Sequence, residues 1–353
     1  MTGSAMTQDR AGNAGAGGPD AAVKKAPLPR RRSARRTALI MLLGRFSYLI
    51  MILAVVSVLV ALLVNFLPGD PAHVVLGPDA TPDQIATLRA QLHLDQGFVP
   101  RYWNWLVRAF HGDLGSSLRT GEPVVSAIKQ RIPVSVELMI LGQLVAIVFA
   151  VLSACYSAVK VRRWQDRALS TLSFGMISAP SFVVAVVLVY LFAVNLKWFP
   201  ATGFEPLSSG LGPNLHSLVL PVVAMSAEVA AVYQRLLRAD MVRTLREDFI
   251  TAAVAKGMTP ANIVFRQALR PSSFSLVTLV GINTARLIGG LVVIEQVFGL
   301  PGMGRLLIDS VSNRDYVVVQ GVVIVIATAY VVINVLIDLV YVVLDPRVRS
   351  VHE

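Results

Sequence analysis

VVVQGVVIVIATAYVVINVLI, residues Val317–Ile337, contains no Asp, Glu, Lys or Arg. An α-helix rises about 1.5 Å per residue, so about 20 apolar residues cross the roughly 30 Å hydrocarbon layer of a bilayer. This run is long enough, and it lacks the apolar–polar alternation that the strands of a membrane barrel would need. Phe46–Leu67 and Ala168–Leu196 are equally free of charge. Val134–Val159, Leu215–Tyr233 and Ser272–Ile294 each hold a single formal charge, on Glu137, Glu228 and Arg286. Together the runs predict an all-α membrane protein with six transmembrane helices. Composition agrees: 55% of residues are hydrophobic, 15% are charged and the mean hydropathy is +0.64, where a soluble chain carries roughly 25% charged residues.

The formal net charge of +11 is unevenly placed. Lys24, Lys25, Arg30, Arg31, Arg32, Arg35 and Arg36 precede the first span. Lys160, Arg162, Arg163 and Arg167 lie between spans 2 and 3, and Arg235, Arg238, Arg243, Arg246, Lys256, Arg266 and Arg270 between spans 4 and 5. Arg347 and Arg349 follow the last span. Basic loops stay in the cytoplasm. With six spans all of these segments fall on one side, which predicts a multi-pass protein of the inner (plasma) membrane with both termini cytoplasmic. Basic tails also bind nucleic acid, but a tail leading directly into a span is accounted for by topology, and no nucleic acid partner is expected. The first apolar run exceeds the 7–15 residues of a signal-peptide core, so it is read as an uncleaved anchor. Residues 1–37, rich in Gly, Ala, Pro and Arg, read as a disordered basic cytoplasmic tail, and 38–67 as the first span. The lone Cys155 lies in a span, which excludes an internal disulfide and any cysteine-rich metal site.

Leu67-Pro68-Gly69-Asp70-Pro71 ends the first span, and residues 68–133 form the one sizeable segment outside the membrane, expected as a small external domain. Within it, Thr81-Pro82-Asp83-Gln84 predicts a helix start running through about Leu92. Trp103, Trp105 and Phe110 read as an interfacial aromatic belt. Ser178-Ala179-Pro180-Ser181 predicts a proline kink inside the third span. Residues 295–305, EQVFGLPGMGR, predict a compact re-entrant or interfacial turn on the outer side. Residues 134–349 would then form the membrane core, with a cytoplasmic loop at 237–271.

That loop holds the most informative segment, Asp248-Phe249-Ile250-Thr251-Ala252-Ala253-Val254-Ala255-Lys256-Gly257, followed by Ala268-Leu269-Arg270-Pro271. Asp248 at a helix start favours the N-terminal dipole. Ala252, Ala253 and Ala255 keep the helix slim enough to enter a partner's cleft. Gly257 suits a left-handed C-cap, and Thr259-Pro260 starts a second helix. An ordinary amphipathic hairpin fits these residues as well as a docking element does. Further motifs bear on that choice. Asn65–Pro71 reads NFLPGDP, Gly112–Ser117 reads GDLGSS, Glu295–Arg305 carries the glycine-rich outer turn, and Leu344–Arg347 reads LDPR.

These motifs, in this order and topology, resemble the B-type permeases of dipeptide and oligopeptide ABC importers over about residues 40–349. Asp248, Phe249, Ile250, Ala253, Ala255, Lys256 and Gly257 match the peptide branch's form of the coupling loop. The chain departs from the general importer form at Thr251, where Glu is usual, and where Arg270 separates Leu269 from Pro271. The resemblance implies a type I importer (MetI-like) permease fold and half of a translocation pathway for di- or oligopeptides. It implies a sister permease subunit, cytosolic ABC ATPase subunits and an extracytoplasmic peptide-binding protein as partners, all around a chain embedded in the lipid bilayer. Asp248, Thr251, Ala252, Ala253, Lys256 and Gly257 would meet the ATPase. The chain has no Gly-x-x-x-x-Gly-Lys-Ser/Thr loop, so ATP and Mg would sit on the partner ATPases, and this chain is expected to bind no cofactor or metal and to catalyse nothing.

Charges inside a membrane are costly and face a bundle interior or water. Glu228, Arg286 and, at the outer end, Glu295 are therefore candidates for the translocation pathway, with snorkelling or pairing inside the bundle as the plainer alternative. Glu137 reads as interfacial, and Asp338, four residues after Asn334, as part of a structural hydrogen bond. A nickel or glutathione permease of the same branch is the nearest alternative. A secondary transporter driven by an ion gradient would leave the cytosolic motif unexplained. An intramembrane enzyme lacks support: of His73, His93, His111, His216 and His352 none stands clearly inside a span next to a candidate nucleophile, and no paired carboxylates or metal-ligand spacing appear.

Overall fold

The computed structural model describes residues 47, 49–62, 76, 80–91 and 95–344. The expectations for the basic tail, for Leu67–Pro71 and for Asp345–Arg347 lie outside these residues, as does the Asp338 side chain. The described elements belong to the unit Tyr48–Glu353. They are helical, and among the described residues there is no strand, only an isolated bridge between Ser116 and Pro123.

The elements run α1 (Leu49–Leu62), α2 (Pro82–Gln91), α3 (Phe98–Phe110), α4 (Val124–Val159), α5 (Trp164–Ser178) and α6 (Ser181–Leu188, continued as a π-helical stretch Val189–Asn195). After these come α7 (Leu211–Thr244), α8 (Asp248–Ala255), α9 (Leu269–Phe298, entered through Pro260–Asn262 and a π-helical turn Ile263–Ala268), α10 (Met303–Ser312) and α11 (Tyr316–Leu344). Among the described residues three helices, α4, α7 and α11, are long and apolar enough to cross a membrane unbroken; counting each of two bent pairs as one span gives five. α1 is a shorter apolar helix.

The α4–α7 pair is the centre of the fold. Gly142, Ala146, Ala150, Ala154 and Ala158 recur at every fourth residue of α4 and are all buried. Small residues along one helical ridge let two backbones approach closely. A methyl at Gly142 would overlap Met225 of α7. Around this seam the core divides into three clusters. One gathers Leu138, Leu218, Met225, Ile294 and Phe298, another the alanine stripe with Tyr233, Leu237, Met241 and Ile250, and the third Trp105, Leu114, Val124, Met303 and Val322.

Three expectations are corrected. The run Ala168–Leu196 is not one kinked helix: it breaks at Ala179–Pro180, and its halves meet at 109°. Ala179 is extended, with φ −93° and ψ 120°, because a following proline excludes the helical conformation from the residue before it. The second long helix starts at Val124, ahead of the apolar run. Trp105 does not lie in an interfacial belt; it is 8% exposed, while Trp103 and Phe110 are 62% and 83% exposed. The Thr81 start is a reciprocal capping box: Thr81 N donates to Gln84 Oε1 at 3.0 Å, and Gln84 N to Thr81 Oγ1 at 3.4 Å.

Candidate functional site

α7 runs past the apolar core and delivers the chain to α8, a helix too short to persist alone. Ile250 holds it against the cluster formed by Tyr233, Leu237, Met241 and Ile263, and Ala253 is buried on the same helix. The opposite face is open: Asp248, Phe249, Thr251, Ala252, Val254, Ala255 and Lys256 are exposed. Phe249 and Val254 are large apolar side chains at 47% and 58% exposure, an unusual surface for a helix placed beside so many charges. Of the six predicted contact residues, Ala253 is therefore buried and the other five are exposed.

The C-terminus of α8 closes in a Schellman motif. Gly257 N donates to Val254 O at 2.9 Å and Met258 N to Ala253 O at 3.3 Å. Gly257 takes φ +74°, the left-handed region in which a side chain is strained. Thr259 is extended, and Pro260 opens the returning helix. The two legs of the hairpin are tied together at the base, where Ser272 Oγ donates to Thr244 Oγ1 at 2.9 Å between buried side chains. Deeper in α7, Arg238 grips Asp166 of α5 with two hydrogen bonds of 2.6 and 2.7 Å, and Ser157 of α4 also bonds Asp166. Three helices thus meet at one ion pair just above the α8 hairpin.

The pathway candidates divide. Glu228, midway along α7, and Arg286 of α9 are exposed, and neither makes a hydrogen bond or ion pair among the described residues. Arg286 follows a 55° bend in α9. Just before that bend Asn283 and Thr284 donate to the carbonyls four residues back, at 3.0 and 2.7 Å, a pattern that bends helices. Glu295 differs from the expectation of a side chain open to a pathway. It is 0% exposed, and its carboxylate accepts from Ser135 Oγ at 2.6 Å, Gly304 N at 2.7 Å and Arg305 N at 3.0 Å. Ser135 Oγ in turn accepts from Met303 N at 2.8 Å. The end of α9 thereby caps the start of α10, with α4 as the third wall. A Cβ at Gly302 would collide with the Glu295 carboxylate, so the glycine gives the acid room to reach the helix. The stretch Glu295–Arg305 is accordingly a helix end, a compact turn and a helix start.

A second cap of this kind is Asp315, 6% exposed. It accepts from Ser117 Oγ and joins the Gly115–Arg119 segment to the start of α11. Sequence reasoning missed Ser135, Asp166, Arg238, Thr244, Ser272 and Asp315. The signals for Asp166 and Asp315 were slight: an acid in the first turn of one helix and just before another. Each serine's role depends on a partner far along the chain.

Residues 146–350 match the family model described as "Binding-protein-dependent transport system inner membrane component". The chain belongs to this family. A second model, "Binding-prot-dependent transport system membrane comp, N-term", matches residues 38–139 of this inner membrane component. Among its relatives, a probable peptide ABC transporter permease protein of Sinorhizobium fredii is 36% identical over 87% of this chain and 98% of its own length. A putative peptide transport system permease protein of Brucella abortus is 38% identical over 89% of this chain and 99% of its own length. The glutathione transport system permease protein of Escherichia coli K12 is 36% identical over 86% and 97%. The family's inner membrane assignment agrees with the long apolar helices.

Proposed function

We propose that this chain is the permease of an ABC importer and forms half of the translocation pathway for short peptides. In this reading it crosses the membrane six times in the type I (MetI-like) arrangement: α1, α4, the broken pair α5–α6, α7, the bent α9 and α11. Both termini lie in the cytoplasm, and residues 68–133 are external, with the start of α4 rising out of the bilayer. The basic α4–α5 turn and the α7–α9 loop on one side support this topology.

The observation that carries the proposal is the two-faced α8, buried at Ile250 and Ala253 and offering Phe249, Val254 and the small Ala252 outward. Its outward residues Asp248, Thr251, Ala252 and Lys256, with Gly257 shaping the turn, would meet a cytosolic ATPase that holds ATP and Mg. A sister permease and an extracytoplasmic binding protein would complete the importer. Glu228 and Arg286, exposed and without partners in the chain, would face the pathway or charges of the sister subunit. Peptides as substrates are supported by the names of the two relatives from Sinorhizobium and Brucella. Glutathione is a second reading, supported by the Escherichia coli relative; being itself a tripeptide, it needs no different pathway chemistry.

Co-purification in mild detergent tests the proposal. A second multi-span permease and P-loop ATPases are expected to stay bound. A chain that purified alone and moved peptides in liposomes without ATP would overturn it.

A further inference from the structure

Helices α4 and α5 meet at a corner. A groove of about 480 Å³ lies there, lined by Phe149, Leu152, Tyr156, Trp164, Ala168 and Leu169. Its rim is open: Leu152 is 57% exposed, Tyr156 49% and Trp164 74%. Aromatic side chains with polar edges favour the level at which acyl chains give way to headgroups. Ser153 also lines the groove, its hydroxyl bonded to carbonyls of its own helix, and so does the Gln165 amide, whose Oε1 is buried without a hydrogen-bond partner.

Directly beyond the groove the chain turns through Lys160, Val161, Arg162 and Arg163. This turn is held in a costly conformation. Arg162 takes φ +64°, and a non-glycine residue persists there only where its surroundings over-determine it. They do so here: Arg162 N donates to Asp166 Oδ2 at 2.9 Å and Arg163 N to Lys160 O at 3.0 Å. Asp166 is itself clamped by Arg238 and Ser157. The acid nearest the turn is therefore committed elsewhere. Lys160, Arg162, Arg163 and Arg167 make no ion pair among the described residues.

We propose that this corner is a binding site for an anionic phospholipid. One acyl chain lies in the groove, the glycerol region meets Trp164 and the Gln165 amide, and the phosphate sits on the Lys160–Arg163 turn. The three chemistries occur in the order in which such a lipid presents them, and basic pockets between membrane helices bind anionic headgroups for this reason. A protein surface covering the same corner would have to bring both an apolar ridge and several acids. The proposal requires only that α4 and α5 lie in the membrane.

The test is quenching of Trp164 fluorescence by lipids with brominated acyl chains. The full-length chain, with whatever subunits accompany it, is placed in nanodiscs containing brominated phosphatidylglycerol or brominated phosphatidylcholine. The signal of Trp164→Phe is subtracted to isolate Trp164. One basic residue at an anionic surface is worth roughly a fivefold change in affinity, so phosphatidylglycerol should be preferred by at least about fivefold. Arg162→Gln with Arg163→Gln should bring that preference close to one. Leu152→Phe, which fills the groove, leaves the turn intact and adds no tryptophan signal, should weaken binding of both lipids, and serves if the double variant assembles poorly. Equal quenching by the two lipids overturns the proposal. So does a preference that survives loss of both arginines, or a Trp164 that neither lipid reaches because protein covers it. The measurement uses neither ATP nor peptide, so its failure would leave the transport function standing.

Discussion

Replacing Gly257 tests whether the α8 hairpin works through its shape. Its φ of +74° is left-handed, and an L-residue forced into that region costs about 1–2 kcal/mol. A Cβ there would meet nothing within 4 Å, so within the chain the penalty is conformational and not steric. The motif has a cheap way out. It can release the bonds from Gly257 N to Val254 O and from Met258 N to Ala253 O, each worth about 0.5–1.5 kcal/mol net, and let the last turn of α8 unwind. A perturbation of 1–2 kcal/mol shifts a local equilibrium about five- to thirtyfold, yet it is small beside what holds long helices in a bilayer. Membrane insertion and subunit assembly should therefore survive while α8 loses its fixed presentation.

The assay is substrate-stimulated ATP hydrolysis by the assembled importer in liposomes. Asn tolerates the left-handed region better than other side chains, so Gly257→Asn should retain most of the stimulation. Gly257→Ala should lose part of it, and Gly257→Val, stiffened at its branched Cβ, should lose about fivefold or more. The order Gly, Asn, Ala, Val is the signature of a backbone requirement. Wild-type coupling in Gly257→Val would refute the reasoning. Asn as damaging as Val would refute it differently, by showing that a partner fills the space beside Gly257.

Two further outcomes are expected. Ser135→Ala strands a buried Glu295 oxygen and the Met303 N–H, each worth about 1–3 kcal/mol when left unpaired; thermal unfolding in detergent should show a lowered midpoint, and Ser135→Thr, which keeps the hydroxyl, should recover much of it. Glu228→Ala and Arg286→Ala should assemble normally and take up substrate more slowly, because neither side chain has a partner in the chain to lose; uptake at the wild-type rate in both would remove them from the pathway.

The sequence announced what depends on local pattern. Apolar runs marked the long helices, Thr81 and Gln84 marked a capping box, and Gly257 marked the left-handed end of α8, because each follows from neighbours a few residues apart. Trp105 was legible too, had its angle been counted. At 100° per residue Phe110 returns to the side of Trp103, whereas Trp105 lies 200° away, on the opposite face. Pro180 was seen, but the effect of a proline on the residue before it turns a kink into a break when nothing downstream restores the helix axis.

Glu295 shows why the rest was hidden. A lone acid at the outer end of an apolar helix has two physical fates: it faces water, or it is buried against donors. The choice rests on Ser135, 160 positions away, and on amides of a helix start that exist only once the turn after Phe298 has formed. Spacing along the chain carries no trace of either. What the sequence does hold is the complementary concession at Gly302, the one position of that turn where a side chain would strike the carboxylate. An acid near the end of an apolar helix, followed seven residues on by a glycine and a new helix, is thus better read as an internal cap than as a pathway charge. Glu228, with no glycine and no helix start following it, keeps the pathway reading proposed for it.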